Sequence, residues 1–229
     1  LQLDSKAVSL IETGSGVLDE YDSKMILRSV GIPVVTERVV KSVQEAGEWA
    51  SRLGFPVVMK GLVPGGIHKT ESGLVRLSID SAEAAARGFD ELSRRMEEIG
   101  GETGKVLIQQ QMEAGLELIV GFLRDPQFGP CVMIGLGGVL AEVLNDVAFG
   151  AAPLSRDEAL HLLDRLKSRR LLDGFRGAPA ADRDALADIL TSLGELGSAH
   201  PGIREIDINP LILSRGKPVA VDATLILKK

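Results

Sequence analysis

Apolar and polar positions along the chain repeat with two periods, and the switches between them divide it into helices and strands. Residues 19–30 carry helical spacing and are stopped by Gly31 and Pro33, after which residues 34–40 alternate as a strand. Ser42 and Glu45 form a capping-box pattern that opens a helix running to Gly54, followed by a strand over 55–60. Residues 61–73 hold four glycines and no periodicity, which predicts a loop. A strand over 74–79 and a charged helix over 81–99 follow, then a cluster of Gly100, Gly101 and Gly104 that reads as a subdomain boundary. Beyond it, residues 106–112, 117–123 and 131–136 predict three short strands joined by Gly- and Pro-containing turns. Helices are expected over 155–168, opened by Ser155 and Glu158 as a second capping box, and over 181–198, with a hairpin over 205–227. This mixed order predicts an α+β protein of two lobes with a ligand cleft between them, over 18–104 and 105–229. Residues 1–17 read as a linker whose Thr13-Gly14-Ser15-Gly16 stretch is a flexible joint, and a chain opening on Leu1 suggests a piece of a longer polypeptide.

Composition narrows the class of function. The 229 residues, 45% hydrophobic and 25% charged, are ample for a buried core. No run approaches the roughly 18 uninterrupted apolar residues of a membrane span, and the start lacks the basic and apolar regions of a secretory leader. A formal charge of -6, one Trp and one Tyr argue against a basic groove or a base-stacking platform, so no nucleic-acid partner is expected. Cys131 has no second cysteine to pair with and reads as a buried thiol in a reducing, cytoplasmic setting.

Candidate chemistry concentrates in the terminal hairpin. In Glu205-Ile206-Asp207-Ile208-Asn209-Pro210 the two isoleucines face one side of a strand, and Glu205, Asp207 and Asn209 face the other. With Arg215-Gly216 as a two-residue turn, Ser214 pairs with Lys217, and equal steps back set Asn209 opposite Asp222. Opposed residues share a face with Cβ atoms about 4.5 to 5.5 Å apart, so several oxygen ligands would converge unless Pro210 or Pro218 introduces a bulge. Magnesium takes hard oxygens in near-octahedral geometry, usually one or two carboxylates completed by substrate phosphates, so the patch suits a Mg-nucleotide. A solvated polar strand face is the alternative.

Two glycine-rich segments add to this. Gly65 and Gly66 let backbone amides approach a phosphate, with Lys60 and Lys69 as nearby positive charges, although turn formation is the commoner role of such a loop. His68, between the glycines and Lys69, can take up a phosphoryl group or donate a hydrogen bond, while His161 and His200 read as structural. Gly135-Leu136-Gly137-Gly138, with Glu142 and Asp146 downstream, is either a phosphate or acyl-phosphate pocket or an ordinary hairpin turn.

These residues in this order resemble the nucleotide-binding β subunit, or ATP-grasp domain, of ADP-forming acyl-CoA synthetases, the acetate-CoA ligase group related to succinyl-CoA synthetase. The resemblance rests on residues 18–33, 54–60, 68–73, 117–121, 125–129, Gly135 to Gly138 with Glu142, and Asp207 to Pro210 with Asp222. It implies an ATP-grasp fold that binds ATP or ADP with Mg²⁺. Lys60 is then the lysine on the phosphates, Ile67, His68 and Lys69 belong to the loop closing over them, and Gln109, Gln110, Gln111 and Met112 form the adenine hinge. Glu117 lies near the ribose, Gly137, Gly138 and Glu142 form the phosphate and substrate loop, Asn209 and Asp222 hold magnesium, and Asp207 supports them. His68 becomes a candidate second phosphoryl carrier.

The implied reaction converts acyl-CoA, ADP and phosphate reversibly into acid, CoA and ATP through a phosphohistidine. The implied partner is a CoA-binding α subunit, or fused CoA-binding and carrier-histidine domains, through which acyl-CoA and carboxylic acid enter; a hetero-oligomer or a fused multidomain chain is expected. Two positions depart from the family pattern: Gln109-Gln110-Gln111-Met112 replaces a Gln-Glu-Met hinge, and Gly150 follows Phe149 where relatives carry arginine. A non-catalytic nucleotide-sensing domain, as on an acyltransferase, and an ATP-grasp carboxylate-amine ligase are the competing readings.

Overall fold

The computed structural model describes residues 3–63, 72–99, 105–138, 145–174, 177 and 179–228. The chain divides into two compact units, one of Val35–Met112 and the other of Leu1–Val34 with Glu113–Lys229.

In the smaller unit β2 (Glu37–Val40), β3 (Val57–Gly61), β4 (Val75–Ile79) and β5 (Val106–Gln110) form an antiparallel sheet in the order β2-β5-β3-β4. Helices α3 (Val43–Leu53) and α4 (Ala82–Glu98) cover one face. The Ser42 hydroxyl accepts the Glu45 amide at 3.2 Å, capping α3 where the pattern predicts, while the Glu45 carboxylate accepts the amide of Lys41, one residue before the cap, at 2.7 Å. Ala46, Ala50, Ala85, Phe89, Leu92 and Met96 from the helices bury against Val57, Met59, Val106 and Ile108 from the strands.

The larger unit holds α1 (Ser5–Thr13), β1 (Gly16–Val17), α2 (Glu20–Ser29), β6 (Leu116–Asp125), β7 (Gly129–Leu136), β8 (Val147–Ala151), α5 (Arg156–Asp164), α6 (Arg183–Ala199), β9 (Ile203–Ser214), β10 (Lys217–Ala220) and β11 (Ala223–Leu227). Among the described residues its sheet has seven strands in the order β1-β11-β9-β6-β7-β8, with β10 also on β9 and every neighbour antiparallel. Its core joins Leu118, Val120, Phe122, Val132, Ile134, Ile206 and Ile208 of the strands to Ile26, Leu27, Leu186, Leu190 and Leu193 of the helices. Alternation then turns Glu117, Gly121, Met133, Glu205, Asp207 and Asn209 to the opposite face.

Three sequence expectations are corrected, and one strand was not expected at all. From residue 3 onward the stretch expected as a 1–17 linker is structured: Asp4 caps α1 by accepting the Ala7 amide at 2.7 Å, Ala7 and Ile11 are buried one turn apart, and β1 pairs with β11. The glycine cluster near 100–104 does not part the units; the chain crosses after Val34 and after Met112, because β5 is hydrogen-bonded on both edges, to β2 and β3. Strand β8 carries no expected pattern because its alternation is inverted, with Val147 and Phe149 44% and 46% exposed and the small Ala148 buried. Helix α5 stops at Asp164 rather than running to 168, since the buried Asp146 carboxylate takes the amides of Lys167 and Ser168 at 2.9 and 2.7 Å.

Candidate functional site

The terminal hairpin holds the register counted from its turn. Ser214 pairs with Lys217 and Leu211 with Ala220, and the same count continues through Ile208 with Ala223 to Glu205 with Ile226. Between these ladders the Asn209 amide donates to the Asp222 carbonyl and the Val221 amide to the Pro210 carbonyl, each at 3.1 Å. A bulge does arise near Pro210, but against β6, where Leu118 pairs with Leu211 and Val120 with Ile208. Asn209 therefore stands opposite Asp222 and is exposed, with Glu205, Asp207 and Asp222 partly buried on the same face.

This carboxylate row repels itself. Burial, then the charges of Glu205 and Asp222, push the Asp207 carboxyl up to about 6. Gly121 stands opposite Asp207 on β6, so no side chain from that strand crowds it. Among the described residues no three His, Cys, Asp or Glu side chains close into a metal cage. Two carboxylates and an amide oxygen in a self-repelling row fit Mg²⁺ instead as an incomplete set that substrate phosphates would finish.

At the far end of β6, the Gly137 amide donates to the Glu117 carbonyl at 2.8 Å. Gly138 has φ +63°, and a Cβ there would lie 2.7 Å from Glu117 Oε2. The left-handed conformation favours glycine at that position, a Cβ there would displace the Glu117 carboxylate, and Glu117, Gly137 and Gly138 form one cluster on the larger sheet.

In the smaller unit, Val58 pairs with Gln109 and Lys60 with Leu107, so Lys60 and Gln109 are diagonal neighbours on the sheet face away from α3 and α4. Both are buried, Lys60 at 6% exposure. Gln111 does not join them, since its side-chain oxygen accepts the Ser78 amide at 2.7 Å and its own amide donates to Pro56. Gln110 is exposed and donates its amide to Thr36; Met112 is partly buried at the end of the unit. Ile67, His68, Lys69 and Glu142 lie outside the described residues.

Of the other singled-out residues, His200 is structural, whereas His161 is exposed and Cys131 is partly rather than fully buried. The His200 amide and carbonyl serve the end of α6, its carbonyl accepting Arg124. Burial, then the charge of Asp125, raise the Cys131 thiol, which stays protonated at neutral pH. A cavity of about 420 Å³ lies against Gly150, Leu154, Glu158, His161 and Arg165, away from every candidate site residue. Two of its charged groups are engaged in local structure: Glu158 in the Ser155 cap and Arg165 on the Phe149 carbonyl. The carboxylate row, with its converging oxygens, is the better site.

Sequence reasoning missed three buried polar residues on α2. Glu20, Ser23 and Lys24 are 2%, 0% and 0% exposed, and all face inward. The signal was present as three polar residues at i, i+3 and i+4 beside Ile26 and Leu27, on a face that should be apolar.

A family model described as the ATP-grasp domain matches residues 9–227. The chain is 39% identical to the β subunit of acetate-CoA ligase [ADP-forming] I of Pyrococcus furiosus, covering 97% of this chain and 98% of that one. It is 38% identical to acetate-CoA ligase [ADP-forming] I of Archaeoglobus fulgidus over 95% of its own length, but spans only 32% of that longer protein. Among solved structures, acetyl-coenzyme A synthetase 1 of Ca. Korarchaeum cryptofilum, in complex with coenzyme A and Ca-AMPCP, superposes with TM-score 0.90 at 38% identity over 96% of this chain and 97% of that one. The same enzyme was also solved with Mg-AMPPCP and a phosphohistidine segment pointing towards the nucleotide binding site, at TM-score 0.82 and 37% identity over 96% of this chain and 97% of that one.

Proposed function

The chain belongs to the ATP-grasp domain family, and from that premise we propose that it is the nucleotide-binding part of an ADP-forming acyl-CoA synthetase. The observation that carries the reading is the unbroken hairpin register, which gathers Asn209, Asp222 and Asp207 into a row that favours a cation. In the larger unit Asn209 and Asp222 hold magnesium, Asp207 supports them, Glu117 meets the ribose, and Gly137, Gly138 and Glu142 line the phosphate and substrate loop. In the smaller unit Lys60 neutralises nucleotide phosphate, the backbone from Gln109 to Met112 recognises the base, and Ile67, His68 and Lys69 belong to the loop that covers the phosphates. Magnesium, when bound, supplies charge neutralisation and orientation of phosphate oxygens.

The reaction is phosphoryl transfer, in which the chain's residues position and neutralise rather than form many covalent bonds. A carrier phosphohistidine gives its phosphoryl group to a β-phosphate oxygen of ADP: the N–P bond breaks with its electron pair staying on nitrogen, an O–P bond forms, and one proton, carried on the other ring nitrogen, leaves the imidazole neutral. His68 is the candidate second carrier within this chain. The CoA-binding partner, as a separate subunit or as fused domains, handles acyl-CoA, free acid and the first carrier histidine. The likeness to a relative described as a β subunit and the partial coverage of a longer relative support such a partner.

The test incubates the protein with γ-labelled Mg-ATP, with and without a cognate CoA-binding subunit. Acid-labile label is expected on wild type, absent from His68→Ala, and chased onto the partner or onto ADP. Nucleotide binding without label or turnover beside an active partner would make the chain a sensor; partner-independent amide formation would make it a carboxylate-amine ligase.

A further inference from the structure

Lys24 of α2 is fully buried, as is Glu20, and its ammonium donates to Glu20 Oε1 at 2.7 Å and to the Val221 carbonyl at 3.0 Å. Ionic groups are rarely taken wholly out of water for stability alone, because desolvation offsets most of their attraction. The partner of this ammonium is informative. The Val221 carbonyl belongs to the peptide group whose nitrogen is that of Asp222, so its direction sets the backbone on which the Asp222 side chain stands.

One donor to that carbonyl, the ladder amide, is missing for a reason visible in the hairpin. Val221 faces Pro210, and the Val221 amide already donates to the Pro210 carbonyl at 3.1 Å. A regular antiparallel pair would return a bond from the amide of residue 210 to the Val221 carbonyl. Proline has no amide hydrogen, so the return bond cannot form. Lys24 Nζ supplies the donor instead, 197 residues away in sequence. Its neighbours on α2 work on the same segment: the Ser23 hydroxyl accepts the Leu225 amide at 3.0 Å. Residues 221–225 are thus held by α2 on one side and by β9 on the other, through the Asn209 amide on the Asp222 carbonyl at 3.1 Å.

We propose that Lys24, oriented by Glu20, is a positioning residue for metal-nucleotide binding: it replaces the ladder bond that Pro210 forbids and thereby fixes Asp222 opposite Asn209. The role rests on the reading of Asn209 and Asp222 as magnesium ligands. Glu20 keeps the ammonium from retreating and balances its charge, so the two act as a unit. Removing Lys24 alone would take the neighbouring ammonium from a buried carboxylate, and the informative variant removes both charges.

The experiment compares wild type, Asp222→Asn and the double variant Glu20→Gln/Lys24→Met as full chains. ATP affinity is titrated calorimetrically at saturating Mg²⁺ and again in EDTA, and the apparent Mg²⁺ constant is measured at fixed ATP. In the double variant Mg²⁺ binding is expected to weaken by about ten- to hundredfold, the range for groups that orient a metal ligand, with ATP affinity in EDTA unchanged. Adding Asp222→Asn to it should cost clearly less than Asp222→Asn costs in wild type, because Lys24 acts through Asp222. A general loss of structure would instead lower both affinities and add to the Asp222→Asn effect, and that result, or a wild-type Mg²⁺ constant in the double variant, overturns the positioning role. Should Asp222→Asn itself leave Mg²⁺-dependent binding intact, the reading of the metal site falls and the role of Lys24 falls with it.

Discussion

At the scale of single residues, Asp207 ties site chemistry to stability. Its carboxyl titrates near 6 in the folded chain against an ordinary 3.8, through burial and then the charges of Glu205 and Asp222. The folded state therefore keeps this proton where the unfolded chain has released it. The contribution to stability is whole below about pH 4, declines as pH rises towards 6, and is flat above; with solvent screening of a partly exposed group the decline is about 1–2 kcal/mol. Chemical denaturation from pH 4.5 to 7.5 should show this loss, and Asp207→Asn should remove it while weakening Mg²⁺-dependent nucleotide binding. Saturating Mg-ATP should reverse the penalty and release protons near pH 6, measurable as a buffer-dependent binding enthalpy. An Asp207→Asn protein with the wild-type pH profile would assign the slope to another group. Asp207, Asn209 and Asp222 were legible in the sequence because strand alternation and a two-residue turn are local rules. Lys24 was not, because its reason for burial is a missing proline amide 186 positions further along the chain (210 minus 24).

Elements were legible where their ends carry a side-chain signature. The Ser42 and Ser155 caps stand where the spacing puts them, and both side-chain oxygens accept the expected amides. The end of α5 was hidden, because it is set from outside by Asp146, just before β8. Asp146 is 3% exposed. Burial alone would raise its carboxyl, but hydrogen bonds from Ser168 and Lys167 outweigh that and hold it below the ordinary range. A depressed folded value means stability present at neutral pH and lost as pH falls below about 4, the opposite sense to Asp207. Asp146→Ala leaves two amides without their acceptor and should destabilise the fold by about 2–3 kcal/mol in urea titration. The Mg²⁺ constant should be unchanged, because Asp146 is on the chain before β8 and the carboxylate row is on β9 and the residue before β11. A shifted Mg²⁺ constant in that variant would show that this helix end and the carboxylate row are coupled. Strand β8 was missed for a different reason: with Val147 and Phe149 outward and Ala148 inward, its hydrophobic pattern points the wrong way.

At the scale of the whole molecule, the two-lobed α+β class was readable from the mixed order of periods, whereas the partition between lobes was not. A glycine cluster is a local signal, but unit membership of β5 follows from its pairing with β2 and β3, which no local pattern states. The candidate residues belong to both units, with Lys60 and Gln109 in the smaller and Glu117, Gly137, Gly138, Asp207, Asn209 and Asp222 in the larger. These groups match phosphate, metal and ribose chemistry, and the chain covers nearly all of one β subunit but 32% of a longer ligase. The acyl and CoA chemistry is accordingly assigned to the partner, and this assignment has a direct consequence for turnover. The isolated chain should bind Mg-ATP with the Asp207 and Asp222 dependence described above, yet form no ATP from acetyl-CoA, ADP and phosphate. Adding a cognate CoA-binding subunit should start ATP formation, and Lys60→Met should abolish it by weakening nucleotide binding rather than partner association, read by titration of each separately. ATP formation by the isolated chain would place the acyl-CoA site within these 229 residues and end the division of labour proposed here.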